Sequence, residues 1–501
     1  MIPEKKITFA DSVRGCWLGK NIGGTLGAPF EGQRQLQNVT FYVQKNLAGN
    51  PEPNDDLDLQ LAWLVLAEYY GLYRLTPRLL GEYWINAVIG PWNEYAVCRW
   101  NCQTGFYPPL SGAVDNDVWK WSNGAWIRSE IWACLFPGDP DAAIEFARLD
   151  ACCDHAGEGI YAEMFTAALE SAAFAEKDLR KLIAIGLSKI PEDCRIARSV
   201  RLVCDCFDKG EGWIDARNKV VADSEDLGWF QAPANVAFTV LGLLYGGGDF
   251  GRTICMAVNC GDDTDCTAAT AGSVMGILLG AEGIPEEWKK PIGDKILTKS
   301  LNHFNLPLKT PGSVTELTDR VLALQARTAS EFPRPRPTDL CSAEAAAALW
   351  NKPAYELQFD ISFAKIAVEY PDGPLVEPGK RCPLRIRLDP IASMPEFRFR
   401  WRLPEGWRSS RTEFCVSGQI YCPTSAETDL TPPDDLADVM SYITLEITSD
   451  DRRFPSHVIV PLRLRNSVIH PRFKLDQESA RLEEMIRLAQ EKAQKYKERK
   501  P

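Results

Sequence analysis

The apolar residues of this chain change their spacing once, and that change limits what each part can fold into. From Asp11 to about Arg327 they recur three and four residues apart, as in Leu57 to Tyr70 (LDLQLAWLVLAEYY) and Asp141 to Leu149. That spacing lines one face of a helix. Small residues gather where helices would touch, as in Thr267 to Gly280 (TAATAGSVMGILLG), and permit close packing. From about Tyr355 to Arg465 the spacing becomes two. Phe397, Phe399, Trp401 and Leu403 alternate with Arg398, Arg400 and Arg402. Leu384, Ile386 and Leu388 repeat the alternation, as do Ile443, Leu445 and Ile447, then Val458, Val460 and Leu462. Short alternating runs closed by Pro, Gly and Asp predict an antiparallel β-sandwich of roughly 110 residues.

The expected organisation is an all-α domain over 1–328 followed by a Pro- and Ala-rich linker over 329–354. The linker holds FPRPRPT at Phe332 to Thr338, a stiff polyproline-like stretch, and a short helix at Ser342 to Trp350. A β-sandwich over 355–470 and a charged terminal helix over 471–501 complete the chain. The apolar stripe of that last helix, Leu482, Met485, Ile486 and Leu488, is thin. It reads as a docked or free tail, or as an oligomer contact. A chain of 501 residues is also too long for one compact core.

A formal charge of -12 provides no basic field for a phosphate backbone, so nucleic acid is not the expected partner. Met1 to Ala10 (MIPEKKITFA) lacks the apolar stretch of a signal peptide. No run reaches the roughly 18 apolar residues needed to span a bilayer. The sixteen cysteines are scattered, several within apolar helical stretches (Cys134, Cys152, Cys153, Cys255), and none forms a CxxC pair. Reduced, buried thiols in a cytoplasmic protein without a membrane partner are the expectation. Most of the fifteen tryptophans are expected in the core.

Four histidines leave little for a His-rich zinc site, and no G-x-S-x-G elbow or P-loop is present. Two carboxylate clusters remain. Asn54-Asp55-Asp56, with Asp58, stands at the head of the apolar helix from Leu57. A helix cap with acids near the positive end of the dipole explains that cluster taken alone. Asp262-Asp263-Thr264-Asp265 follows Asn259-Cys260-Gly261 and runs into an Ala-rich helix. Three carboxylates at the start of a buried helix are costly unless cations neutralise them. Acids without imidazoles favour hard cations such as Mg²⁺, Mn²⁺ or Ca²⁺. Two helix starts meeting around a metal pair is the sharper reading. Two further segments stand open. Trp100 to Asn116 (WNCQTGFYPPLSGAVDN) suits a substrate-facing loop or an ordinary surface loop. Asp150 to Glu163 (DACCDHAGEGIYAE) suits a solvated helix face or, through His155 and Glu158, a cleft wall, with Glu163 structural.

The order and spacing of these motifs resemble the ADP-ribosylglycohydrolase family. Gly15-Cys16-Trp17-Leu18-Gly19, then Gly23-Gly24-Thr25-Leu26-Gly27-Ala28-Pro29-Phe30-Glu31, is similar to its opening G-x-x-x-G-x-A-x-G-D-A-x-G-x-P-x-E segment. Asn54-Asp55-Asp56 matches its Thr-Asp-Asp motif, Asn123-Gly124-Ala125-Trp126-Ile127-Arg128 its Asn-Gly-x-x-x-Arg segment, and Asp154-His155 its Thr-His pair. Gly261 to Ala269 matches its late G-G-D-T-D-T-x-A-A signature.

The resemblance implies a helical catalytic domain that hydrolyses an N- or O-glycosidic bond to a ribosyl-like sugar, an ADP-ribose adduct of a small molecule or a modified protein. It implies two Mg²⁺ or Mn²⁺ ions held by Asp55, Asp56, Asp263 and Asp265. Asn54 and Cys266 stand where the family has hydroxyl-bearing ligands. Glu31 is implied as the catalytic carboxylate, with Asp56 and Asp263 beside it. Asn123, Gly124 and Arg128 are implied along the substrate phosphates, with His155 and Glu158 lining the pocket. Departures are Gly24 for Asp, Asn54 for Thr, Asp262 for Gly and Cys266 for Thr. A thiol is a poor ligand for Mg²⁺, so one metal position is expected to be weakened. A non-nucleotide glycoside as substrate, and a non-catalytic binding or structural member, are the alternatives.

Overall fold

The computed structural model describes residues 7–90, 93–391 and 394–467. The charged helix expected over 471–501 lies outside them. Helices follow one another in chain order: α1 (Phe9–Gly27), α2 (Asp55–Tyr70), α3 (Pro77–Asn86), α4 (Asn93–Gln103), α5 (Leu110–Ala113), α6 (Glu130–Leu135), α7 (Pro140–Ala151), α8 (Glu158–Ala173), α9 (Leu179–Ser188), α10 (Arg195–Asp208), α11 (Trp213–Asp223), α12 (Ala232–Tyr245), α13 (Phe250–Asn259), α14 (Thr264–Leu279), α15 (Glu286–Lys289), α16 (Val314–Glu331) and α17 (Glu344–Trp350). No helix among the described residues is long and apolar enough to cross a membrane.

The centre of the helical domain is set by helices that are apolar on every side. All of α14 is buried, and α2 is buried continuously from Asp56 to Ala67. Trp17, Trp63, Trp84, Trp126 and Trp132 are fully buried around them. The pairing of α1 with α14 has a simple cause. Gly15, Gly19, Gly23 and Gly27 are spaced one turn apart. A Cβ on any of them would lie 2.0–2.2 Å from the carbonyl oxygen of Gly276, Gly272, Ala268 or Thr264, respectively. Four absent side chains therefore form a groove in α1 that admits the antiparallel backbone of α14. The Thr264 hydroxyl donates to the Gly27 carbonyl at 2.8 Å, so the last turn of α1 meets the first turn of α14.

The linker is fastened to the helical domain. Trp350 Nε1 donates to the Lys189 carbonyl at 3.0 Å, and Arg148 Nε donates to the Leu349 carbonyl at 3.1 Å. Strands follow: β1 (Glu356–Ile361), β2 (Ala364–Glu369), β3 (Leu375–Val376), β4 (Cys382–Pro390), β5 (Met394–Arg402), β6 (Arg408–Ser409), β7 (Glu413–Gly418), β8 (Thr424–Thr431), β9 (Met440–Ser449) and β10 (Ser456–Leu464). They form two five-stranded sheets, ordered β1-β2-β4-β8-β6 and β3-β10-β9-β5-β7. All pairings are antiparallel except the short β3–β10 contact. The alternation read from the sequence decides which face is buried: Phe397, Phe399 and Trp401 enter the core, while Arg400 and Arg402 pair outward with Glu413 and Glu446.

The Trp100–Asn116 segment is neither a substrate-facing loop nor an ordinary surface loop. Phe106, Leu110 and Val114 belong to the core of the sandwich. Arg463 of β10 reaches back into the segment, donating to Asp115 Oδ2 at 2.7 Å and to Asn101 Oδ1 and Thr104 Oγ1 at 2.9 Å each. Its guanidinium lies 4.0 Å from the Trp100 ring centre and 4.5 Å from that of Phe106. The segment is the seat on which the two domains join.

Candidate functional site

Three chain segments converge where α1 ends and α2 and α14 begin. Asn54 caps α2, its side-chain oxygen accepting from the Asp56 amide at 2.8 Å, while its Nδ2 lies 3.4 Å from Asp265 Oδ2. Gly24 leaves room for that side chain, since a Cβ there would lie 2.5 Å from Asn54 Nδ2. The small residue at 24 thus makes room for the side chain at 54. The turn before α14 pairs with the strand-like stretch after Glu31. Gly32 N donates to the Asp262 carbonyl and Asp262 N to the Gln33 carbonyl, each at 2.9 Å. Asp262 holds φ at 71°, a conformation that glycine adopts without strain. Its carboxylate accepts from Phe230 N at 2.9 Å and from Arg34 Nε at 3.3 Å.

This arrangement gathers two groups of ligand-type atoms, each within 4.8 Å: Asp56, Asp265 and Cys266, and Glu31, Asp263 and Asp265. Asp265 belongs to both. Asp56, Asp263, Asp265 and Cys266 are 1%, 5%, 4% and 5% exposed, and Glu31 stands exposed at the outer end. Asp56 Oδ2, Asp263 Oδ1 and Asp265 Oδ1 have no hydrogen-bond partner. Burial pushes Asp56 and Asp263 well above the ordinary carboxylate range, and the charge of Asp265 raises both further. The Asp265 charge, followed by burial, pushes Glu31 up to about 9. Crowded, buried carboxylates with unused oxygens are the electrostatic demand that a divalent cation meets. These residues fit one.

The surroundings hold the cluster in place. Asn123 Nδ2 donates to Asp263 Oδ2 at 2.6 Å, and Asn235 Oδ1 accepts from Asp263 N at 3.2 Å. Asp55 turns aside to pair with Lys299 at 2.9 Å and is not part of either group. Asp58 accepts from the backbone amides of Lys299 and Ser300 at 2.8 and 2.6 Å, which anchors that loop to α2. Beneath Asp56 lies Lys20, fully enclosed, 2.8 Å from Glu130 Oε1 and 3.7 Å from Asp56 Oδ2. Burial opposes its charge, but Glu130 and Asp56 outweigh burial and keep the ammonium protonated. Lys20, Lys299, Asn235 and the anchoring role of Asp262 were not read from the sequence. A lysine among the glycines and apolar residues of α1 was the one available signal.

Of the residues expected along the substrate, Asn123 stands at the cluster and the others sit in the network around it. Arg128 is fully buried. Its guanidinium donates to Asp150 at 2.9 Å, to both Asp154 oxygens at 3.0 and 2.6 Å, and to the Gly124 carbonyl at 2.5 Å. It braces the Asn123–Gly124 turn from behind. Gly124 has no room for a side chain, since a Cβ would lie 2.3 Å from Glu94 Oε1. His155 is fully buried between Ser122 (3.1 Å) and Asp154 (2.9 Å). Burial would raise the Asp154 pKa, but Arg128 and His155 outweigh it and hold that carboxyl at about 2. Glu158 accepts from the backbone amides of Arg195 and Ile196 at 2.9 and 3.0 Å, capping α10. Asp150, Asp154, His155 and Glu163 are all enclosed, so these side chains do not form a solvated helix face.

Two concavities of about 430 Å³ lie away from the carboxylates, one lined by residues including Trp213, Arg252 and Trp288, the other by Glu211, Asp215 and Lys219. Neither gathers unpartnered buried acids, and the cluster is the stronger candidate. Residues 5–330 match a family model described as ADP-ribosylglycohydrolase. A solved chain described as an "ADP-ribosylglycohydrolase-related protein complex" is similar at 19% identity and a TM-score of 0.41, over 64% of this chain and 98% of that one. No curated protein matches.

Proposed function

The chain belongs to the ADP-ribosylglycohydrolase family, and on that premise we propose that it is a divalent-metal-dependent hydrolase of a glycosidic bond to a ribosyl-like sugar, with an ADP-ribose adduct as substrate. The observation that carries the reading is the pair of ligand groups sharing Asp265, with unpartnered oxygens on Asp56, Asp263 and Asp265. Asp56, Asp265 and Cys266 would hold one cation, and Glu31, Asp263 and Asp265 the other. Mg²⁺ or Mn²⁺ held there would supply Lewis-acid polarisation of the sugar hydroxyls.

The chain's own residues do the rest. Cleavage passes through an oxocarbenium-like state, whose positive charge a carboxylate cluster stabilises. Glu31 is the exposed member, so with a bound cation offsetting the Asp265 charge that otherwise keeps it protonated, it would meet the attacking water and accept its proton. Asn123 fixes the Asp263 rotamer by donating to it, and Arg128 in turn fixes the turn that carries Asn123. Asn54 does the same for Asp265.

A second reading has one observation in its favour. The arginine implied along the substrate phosphates is buried in ion pairs with Asp150 and Asp154, which favours a glycoside without a pyrophosphate. A panel separates the two: ADP-ribosylated Arg and Ser peptides, O-acetyl-ADP-ribose and chromogenic glycosides, each with EDTA, Mg²⁺ or Mn²⁺. We expect metal-dependent release from an ADP-ribosyl substrate, abolished in Asp263→Ala/Asp265→Ala. Turnover of a plain glycoside alone would replace the substrate class. Turnover that survives EDTA and the double substitution would overturn the metal mechanism.

A further inference from the structure

The two ligand groups differ in one element. Glu31, Asp263 and Asp265 offer only carboxylate oxygens, whereas Asp56, Asp265 and Cys266 include a sulfur. Cys266 is the position at which the family pattern has a hydroxyl, and sulfur and hydroxyl oxygen select different cations. Carboxylate and hydroxyl oxygens suit Mg²⁺ and Mn²⁺, while thiolate favours softer or borderline ions, and Co²⁺ and Zn²⁺ outrank Mn²⁺ at most sites containing nitrogen or sulfur. We propose that the centre is heterometallic: the Asp56–Asp265–Cys266 half takes a thiophilic divalent cation of the Zn²⁺ or Co²⁺ class. The Glu31–Asp263–Asp265 half keeps a hard cation, and Asp265 is common to both. The inference rests on reading the site as a cation centre.

Three features separate Cys266 from a thiol that merely fills space. Three buried cysteines direct their S–H to carbonyls three or four residues earlier, Cys152 and Cys153 to Leu149 and Cys260 to Met256. Cys266 Sγ instead points at a carboxylate, Asp56 Oδ1, at 3.4 Å. Its two partners in the group each keep a buried oxygen without a hydrogen bond, Asp56 Oδ2 and Asp265 Oδ1. Finally, Lys20 lies 3.7 Å from Asp56, a fixed positive charge behind the group. Binding displaces the thiol proton to solvent and leaves a thiolate beside two carboxylates. The bound cation itself offsets the charge of that anionic set, since Lys20 is held by Glu130 at 2.8 Å.

The test uses the full chain, stripped with chelator and titrated with Co²⁺ in a large excess of Mg²⁺. Thiolate-bound Co²⁺ gives a ligand-to-metal charge-transfer absorption in the near ultraviolet that oxygen-bound Co²⁺ lacks. We expect the band to grow to about one Co²⁺ per chain and to be displaced by Zn²⁺ but not by Mg²⁺. Cys266→Ser restores the family's hydroxyl. It should lose the band and bind Co²⁺ roughly tenfold more weakly or worse, while still binding Mg²⁺. Its melting temperature without metal shows that the fold is intact. No band in the unaltered protein, or a band that persists in Cys266→Ser, overturns the proposal; the latter would mean ligation by other cysteines, such as the exposed Cys341, Cys415 or Cys422. The outcome is independent of the reaction. A Cys266-dependent band in a protein inactive on the whole panel keeps this inference and removes the hydrolase reading. Mg²⁺-supported turnover with no band does the reverse.

Discussion

Asp262 holds a left-handed backbone, φ 71°, at the residue before the carboxylate-bearing helix start. Its side chain gives a reason for tolerating that strain. The carboxylate ties Phe230, itself at φ 58°, and Arg34 to the turn that launches α14. Arg34 in turn lies over the Trp229 ring at 5.6 Å, so one acid organises an aromatic and cationic rim beside Asp263. Backbone and side chain can be separated by substitution. Asp262→Gly removes the carboxylate and relieves the backbone, whereas Asp262→Ala removes the carboxylate and keeps the strain. Both should fall below the unaltered protein, because the Phe230 amide loses its acceptor at a cost of about 1–3 kcal/mol. The glycine variant should be the more stable of the two by about 1 kcal/mol in urea unfolding. Equal midpoints would remove the strain argument.

At the scale of elements, the groove in α1 decides where the ligands meet. Asp263, Asp265 and Cys266 sit at one end of α14 and Glu31 just beyond the matching end of α1, so the distance between the helices sets the spacing of the Glu31–Asp263–Asp265 group. Gly19→Ala would place a methyl 2.0 Å from the Gly272 carbonyl oxygen, which only a shift of one backbone can relieve. We expect a loss of 3 kcal/mol or more, at about the upper end for overpacking, together with weaker metal binding by calorimetry. Gly312→Ala is the control. A Cβ there would have its nearest neighbour, Glu316 Oε2, at 3.9 Å, so stability should change by less than about 0.5 kcal/mol. A Gly19→Ala protein as stable as that control would show that the helices are not held at contact distance.

For the whole molecule, one polar side chain joins the two cores beside the apolar contacts of Phe106, Leu110 and Val114. Arg463 comes from the penultimate residue of β10 and is fully buried among Asn101, Thr104 and Asp115 of the helical domain. Its planar fork satisfies three acceptors at once, which a lysine ammonium on a flexible stem does not reproduce. Arg463→Met should therefore cost about 2–4 kcal/mol by leaving Asp115 unpaired and the amide and hydroxyl acceptors unmet. Arg463→Lys should recover less than half of that loss. Calorimetry should show one unfolding transition in the unaltered protein and two in Arg463→Met as the sandwich uncouples. One unshifted transition in Arg463→Met would place the coupling in the apolar contacts of Phe106, Leu110 and Val114 instead.

The sequence alone determined whatever depends on neighbours three, four or two residues away. The buried faces of β4, β5, β9 and β10, the buried stretch of α2, the Asn54 cap and the clustering of acids at two helix starts were all legible in it, because periodicity and capping are local. Tertiary structure decided what lies hundreds of residues apart. It joined Glu31 to Asp263 and Asp265, put Cys266 beside Asp56 and turned Asp55 towards Lys299. It also buried Arg128 and His155 behind the site and made the Trp100–Asn116 segment a domain seat. A motif gives a residue's chemical type and its place on an element, but not which way a long side chain turns. That direction is set by the charges packed against it. For Arg128 they are Asp150 and Asp154, and they draw the guanidinium inward.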